Sequence, residues 1–344
     1  MIQWPTLDHR LSQLHSQEDQ KILTRHEFLR SVGALALTPA AGGSALAQDY
    51  PSENIHLICG VPPGAGADVL VRHFGEKLRV IAGRTTIVEN RVGANSYIAT
   101  RYVARSKPNG YTLFPYAATT VALTYHLYKN APVEVGNALQ VAATTNNGAF
   151  MLLVDARSPY KTVAELTAAM KKKGSSASYA TAANTGRIMG ALYKLAAGLD
   201  AVEVQYRAAS DSLSEMLTGE LDYGLHDPVF ALAEQRAGRL RILAVSTSER
   251  LGSLPDVPTM KESGVPLDLN LWWGVMVPIG TPRPIIDKIN GWFTEIVSSE
   301  DTKKFLALSG AEPMIRTPDE AQAMFQKAIK EWGDYARIAK LPQI

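Results

Sequence analysis

One cysteine, Cys59, stands among 344 residues, so no internal disulfide can form and stability has to come from packing. The seven histidines are scattered. Those beyond residue 50, His56, His73, His126 and His226, keep no ligand spacing with one another or with Cys59, which argues against the common zinc patterns. Charge of one sign is also missing. The 35 Lys and Arg against 33 Asp and Glu leave a formal net charge of +2, which gives no case for nucleic acid or an anionic membrane surface. The basic run Lys171 to Lys173 reads as a solvated helix end. No apolar run reaches the ~20 residues needed to span a bilayer. No G-x-S-x-G elbow is present. Ser158-Pro-Tyr-Lys161 matches S-x-x-K in form but lies in a proline-containing loop, with neither S-D-N nor K-T-G after it. Nothing calls for a catalytic triad, a metal or a cofactor.

What is present suits an ordinary globular protein: 46% hydrophobic and 20% charged residues, in a length that accommodates two domains. Residues 24 to 47 combine a basic segment, a moderately apolar stretch from Val32 to Ala41 and the small-residue ending Ala45-Leu46-Ala47. That is the form of a cleavable export signal, with a mature chain expected from Gln48. Thr24, Arg25, Phe28, Leu29 and Arg30 are similar to the twin-arginine pattern, but His26 stands where a second arginine belongs. Residues 1 to 23 are long and polar for a leader, and a misplaced upstream start codon is one explanation.

The most informative unit runs from Leu57 to Phe74, LICGVPPGAGADVLVRHF. Leu57 to Cys59 read as the end of a buried strand, and a helix is expected from Asp68, with Val69, Leu70, Val71 and Phe74 at helical spacing. Pro62, Pro63, Gly64 and Gly66 keep the intervening loop irregular. Backbone N–H groups at such a helix start lack partners and favour an anion. No Lys-Ser or Lys-Thr follows the glycines, so this is no P-loop. No third glycine stands near Val69, which disfavours a dinucleotide site.

Further strands are expected at Thr86–Glu89 and Tyr111–Tyr116, with a helix at Ile98–Ser106 between them. A second series opens with the strand Phe150–Val154 and alternates helices (Val163–Lys172, Ile188–Ala197, Ser210–Leu217, Phe230–Ala237) with strands (Tyr179–Ala182, Val202–Tyr206, Leu221–Leu225, Leu240–Ser246). Such alternation predicts parallel, doubly wound sheets. The proline-rich stretch Arg250–Leu271 reads as a crossover, followed by the apolar run Trp272–Val277. Helices are expected at Pro284–Ser298, Lys303–Leu308 and Pro318–Ile338.

Several short motifs, in order, carry a resemblance. They are Tyr50-Pro51-Ser52, Pro62-Pro63-Gly64 with Asp68, Val88-Glu89-Asn90-Arg91, Pro108-Asn109-Gly110-Tyr111-Thr112-Leu113, Ala237-Gly238-Arg239-Leu240-Arg241, Leu254-Pro255-Asp256-Val257-Pro258-Thr259, Gly280-Thr281-Pro282 and Gly310-Ala311-Glu312-Pro313. With these the chain resembles the Bug or TctC family, the extracytoplasmic solute receptors of tripartite tricarboxylate transporters. The resemblance implies an α/β, periplasmic-binding-protein-like fold with two doubly wound domains and a ligand cleft between them. Domain 1 would comprise residues 48–148 and 273–344, and domain 2 residues 149–272.

It further implies a monomeric periplasmic receptor, not an enzyme, that hands a small organic acid (mono-, di- or tricarboxylate, or an aromatic acid) to membrane transporter subunits. A ligand-binding input to a membrane sensor, or a periplasmic hydrolase or lyase, are the alternatives. Carried over by position, Pro63, Gly64, Ala65, Gly66 and Asp68 would hold a carboxylate through backbone N–H groups and water. Thr119 and Thr120, in the loop after the third strand, would donate hydroxyls or cap a helix. Thr181 to Arg187, with Asn184 and Thr185, form the matching loop of domain 2. There Arg187 would be a bidentate clamp if it faces the cleft, and a surface arginine otherwise. Tyr206 and Arg207 match a Tyr-Lys pair. Asp227 would bond the ligand or cap a helix, His226 would be a pH-sensitive contact or a solvated residue, and Trp272 and Trp273 would stack on a ligand or pack between domains.

Overall fold

A computed structural model describes residues 50–343, so the expected leader and its cleavage point lie outside the described residues. Two mixed sheets form the framework. The first holds six strands in the order β11-β4-β10-β3-β1-β2 and the second five in the order β7-β6-β8-β5-β9.

The first lobe opens with β1 (Ile55–Cys59), α1 (Gly66–Ala82), β2 (Thr86–Asn90), α2 (Tyr97–Ala104) and β3 (Thr112–Ala117). β3 runs without a break into α3 (Ala118–His126), and β4 (Leu139–Gly148) leads to the crossing. The second lobe follows as β5 (Met151–Asp155), α4 (Val163–Lys173), β6 (Ser178–Thr181), α5 (Asn184–Ala197), β7 (Val202–Gln205), α6 (Leu213–Thr218), β8 (Tyr223–His226), α7 (Pro228–Arg236) and β9 (Leu240–Val245). The chain returns through β10 (Leu271–Pro278), then adds α8 (Arg283–Ser298), α9 (Glu300–Leu308), β11 (Ala311–Pro313) and α10 (Pro318–Ile338) to the first lobe.

Parallel pairing holds for β1 with β2 and β3, and for β6 with β7 and β8. Elsewhere the expectation of parallel sheets needs correction. β10 is antiparallel to β3 and β4, β11 to β4, and β5 to β8 and β9. The reason is where the chain enters each sheet. β5 and β10 both follow a crossing between lobes, so they start where the parallel strands end: Met151 lies opposite His226, and Trp273 opposite Ala117. Buried Ser246 ties the crossing segments together. Its hydroxyl accepts from the Phe150 N–H and donates to the Leu269 carbonyl, each at 2.9 Å.

Three of these elements are absent from the sequence reading: the short edge strand β11, β4 and α3. β4 reads LQVAATTNNG, and its Thr-Thr-Asn-Asn end has the composition of a turn, yet Thr144, Thr145 and Asn146 are buried between β10 and β11. α3 reads ATTVALTYH, β-branched and without a side-chain cap, and it is held by packing on α10. Thr119 and Thr120 therefore sit in the first turn of a helix, not in a loop.

The start of α5 rests tightly on β8. A Cβ at Gly186 would lie 2.6 Å from the Leu225 carbonyl oxygen, a backbone atom that cannot turn aside. Gly186→Ala gains helix propensity but forces the two elements apart, and overpacking of this kind outweighs it. We expect a loss of about 1–3 kcal/mol, read as a lower urea midpoint for unfolding; an unchanged or raised midpoint would contradict this packing.

Candidate functional site

A cleft of about 570 Å³ lies between the two sheets. The lining comes from the starts of four helices (Gly66 and Ala67 on α1, Thr120 on α3, Thr185 on α5, Pro228 and Val229 on α7), from the crossing segments at Asn146, Phe150, Leu271 and Trp273, and from Phe305 and Leu308 on α9. Strand ends and helix starts from both lobes thus meet at one place, as the general rule for open α/β sheets anticipates.

Three of these helix starts share a feature. The N-cap positions of α1, α3 and α5 are Ala65, Ala117 and Ala183, and none makes a side-chain cap hydrogen bond. Alanine is a poor cap, so the first N–H groups of these helices are left without a side-chain acceptor at the positive end of the helix dipole. Away from the cleft the pattern is mixed: α4 and α10 carry capping boxes from Thr162 and Thr317 and Ser299 caps α9, whereas α2, α6 and α8 make no side-chain cap hydrogen bond but point their starts elsewhere. The fourth cleft helix, α7, is capped by Asp227, whose Oδ1 accepts from the Phe230 N–H at 3.1 Å. Asp227 is also the one acidic or basic side chain among the described lining residues. Asn146 adds a polar group. Its Oδ1 accepts from the Thr145 hydroxyl at 2.9 Å, which leaves the amide NH2 as a donor.

The glycine- and proline-rich loop is held from behind. Asp68 is 1% exposed, so its carboxylate belongs to the interior and not to the ligand space. Its Oδ2 accepts from the Gly64 N–H and from Arg72 Nε, both at 2.8 Å, and its Oδ1 from Asn90 Nδ2 at 2.7 Å. The Arg72 guanidinium beside it holds the carboxyl at about 2, below the usual range, with Asn90 and the Gly64 N–H acting the same way against burial. Gly64 has φ +83°, a conformation that favours glycine. Asp68 thus fixes the loop, and α1 presents Gly66 and Ala67 to the cleft; Pro63, Gly64 and Ala65 precede them without joining the lining.

Other residues expected at the site are placed elsewhere. Arg187 is neither a clamp in the cleft nor a surface residue. Its Nε donates to Glu203 Oε1 at 3.0 Å, its side chain is 16% exposed, and it is not in the lining. The reason is Glu203 on β7, a partner within the same lobe that also accepts from Thr181 Oγ1 at 2.7 Å and so occupies that residue too. Thr119 turns to the opposite side of the crossing strands, into a crevice with Trp272 and Trp332, while its neighbour Thr120 lines the cleft. Trp272 is 3% exposed and packs in the core; Trp273, one residue on and on the other face of β10, reaches the cleft. Tyr206 donates to Glu215 Oε2 at 2.5 Å, and burial, followed by that carboxylate, pushes its phenol up to about 12. His226 is 1% exposed, 3.2 Å from the Ser212 hydroxyl, and burial lowers its imidazole to about 4. It is a neutral core residue at pH 7, outside the lining. Asn184 starts α5 beside Thr185 but is not in the lining. Of the expected residues the cleft brings together Gly66, Thr120, Thr185, Asp227 and Trp273. The sequence reading missed Asn146, Phe150 and the α9 residues Phe305 and Leu308. An alanine preceding each of three helices was the available signal for the helix starts.

The family model described as tripartite tricarboxylate transporter family receptor matches residues 70–341. The chain belongs to this family. Among relatives, the receptor is 27% identical to protein BugT of Bordetella pertussis over 314 residues, 90% of this chain and 96% of that protein. In fold it is similar to a TctC solute binding protein from Polaromonas, with a TM-score of 0.74, 23% identity, and coverage of 84% of this chain and 99% of that one. It is likewise similar to R. palustris Rpa4515 with adipate, with a TM-score of 0.71, 24% identity, and coverage of 86% and 100%. Among the described residues, no group of three His, Cys, Asp or Glu side chains is placed to hold a metal ion, and no helix is long and apolar enough to cross a membrane.

The Asp68 network has a consequence for stability. A carboxyl depressed in the folded state contributes stability that is complete above its unfolded value, ordinarily 3.8, and is lost as pH falls toward its folded value of about 2. With allowance for the half-exposed Arg72, Asp68→Asn is expected to cost about 1–2 kcal/mol at pH 7. In chemical denaturation the gap between the two proteins should narrow between about pH 4 and pH 2. A gap constant across that range would remove Asp68 from this role.

Proposed function

We propose that the receptor captures a small organic acid (mono-, di- or tricarboxylate, or an aromatic acid) in the cleft and delivers it to the membrane subunits of a tripartite tricarboxylate-type transporter. One observation carries this reading: three alanine-capped helix starts converge on a cleft whose described lining holds no Lys, Arg or His. Such an arrangement favours a carboxylate through backbone N–H groups and needs no cationic side chain. The adipate of the similar R. palustris protein is an acid of the kind proposed here.

In this reading the protein acts in the periplasm as a monomer, after export and removal of the leader near Ala47. Residues 48–148 with 273–344, and residues 149–272, are the two bodies that close on the ligand about the crossing strands. The acid stabilises the closed form by as much as it binds that form better than the open one. The receptor reading is preferred to an enzyme because the single acidic group in the lining, Asp227, is already engaged in capping α7.

The test removes one N–H group without removing a side chain. Gly66 is the first residue of α1, where proline is tolerated, and Ala65 has φ −68° and ψ 156°, a conformation compatible with a following proline. By calorimetry, Gly66→Pro should weaken binding of the best acid from a carboxylate panel at least tenfold, about 1.4 kcal/mol, with the melting temperature nearly unchanged. Undiminished affinity would remove the α1 start from the binding site, and failure of every acid to bind the unaltered protein would overturn the organic-acid reading.

A further inference from the structure

Away from the helix starts, the cleft walls are hydrocarbon. Val69 on α1, Val229 on α7 and Leu308 on α9 are 47, 56 and 69% exposed, and all three line the cleft. Scattered exposed apolar residues mean little, but several that converge on one concave site mark a surface that is covered in use. The floor is aromatic. Trp273 and Tyr116 lie with ring centroids 5.3 Å apart, and the Tyr116 hydroxyl is turned into the protein, where it accepts from Ser96 Oγ at 2.7 Å.

One wall is fixed in place. The Phe305 ring lies parallel to the His73 imidazole, 4.0 Å away with 2° between the planes, and His73 Nε2 sits 3.0 Å from Thr302 Oγ1 on the same helix as Phe305. α1 and α9 are thereby coupled, and Phe305 presents a held aromatic surface to the cleft. A ligand with hydroxyl or further carboxylate groups along its body would set them against this wall, where they exchange water for carbon. It would also bring like charge toward Asp227, the single acidic or basic group in the described lining.

Resting on the organic-acid reading above, we propose that the ligand is amphipathic: one carboxylate at the helix starts and an uncharged apolar body, an aromatic ring or an alkyl chain, along Val69, Val229, Trp273, Phe305 and Leu308. Small hydroxylated di- and tricarboxylates are the poor ligands of this cleft. Phe305 and Leu308 set the preference.

Calorimetry of the purified protein with octanoate, 3-phenylpropionate, malate and citrate tests this. Octanoate or 3-phenylpropionate should bind at least tenfold tighter than both malate and citrate. Leu308→Ser, at a position open to water, and Phe305→Ala should each reduce that ratio at least threefold; the first keeps the test usable if the second does not fold. Tighter binding of malate or citrate, or a ratio that Leu308→Ser leaves unchanged, overturns the apolar preference and leaves the organic-acid receptor standing. Absence of binding by all four acids overturns both.

Discussion

Backbone N–H groups in the first turn of a helix have no acceptor within that helix, and this demand organises the molecule. At the starts of α4, α9 and α10, Thr162, Ser299 and Thr317 meet it with side-chain oxygens. Where α1, α3 and α5 begin at the cleft, alanine leaves it unmet. What sets these three apart is that their uncapped starts converge on one cleft, and in the proposed reading they serve an anion there without a charged side chain. Asp68 completes the device from behind: it takes up the Gly64 N–H and the Arg72 charge within the protein and fixes the loop that aims α1.

Topology decides which residues join these helix starts. Because β5 and β10 begin at the cleft and run against their neighbours, the crossing segments deliver Asn146, Phe150, Leu271 and Trp273 to the same space. Their side chains alternate across the strand, which explains why Trp273 serves the cleft while Trp272 serves the core. Ser246 joins Phe150 to Leu269 at the crossing, so the segments about which two lobes would move are hydrogen-bonded as one unit. In the proposed reading, a fixed geometry at the crossing would serve as the hinge about which the two bodies close.

Much of the fold was legible because strong local signals agreed with the tertiary structure. The helix expected at Pro318–Ile338 is found with those bounds, marked by its capping box and apolar spacing. Strand β1 follows the apolar run as read, and helix α1 follows the glycine turn but begins at Gly66, two residues before the expected Asp68, so Gly66 belongs to the helix and not to the loop. β4 was not legible, since Thr144, Thr145 and Asn146 become strand residues only when β10 and β11 flank them. The antiparallel strands were likewise hidden, as strand direction depends on where a crossing enters the sheet. At the site, Thr120, Thr185 and Asp227 were identified by position, whereas Arg187 was misplaced because its partner Glu203 stands sixteen residues away on another strand. Phe305 and Leu308 reach the cleft through the return of the chain to the first lobe, a long-range event with no local trace.

The central claim, recognition of an anion by uncapped helix starts, is tested most directly by a crystal structure with a bound carboxylic acid. The account predicts carboxylate oxygens within about 2.7–3.1 Å of N–H groups at the starts of α1 and α3 or α5, with no Lys or Arg side chain in contact. A carboxylate seated on an arginine, Arg187 included, or lying outside the cleft would contradict it.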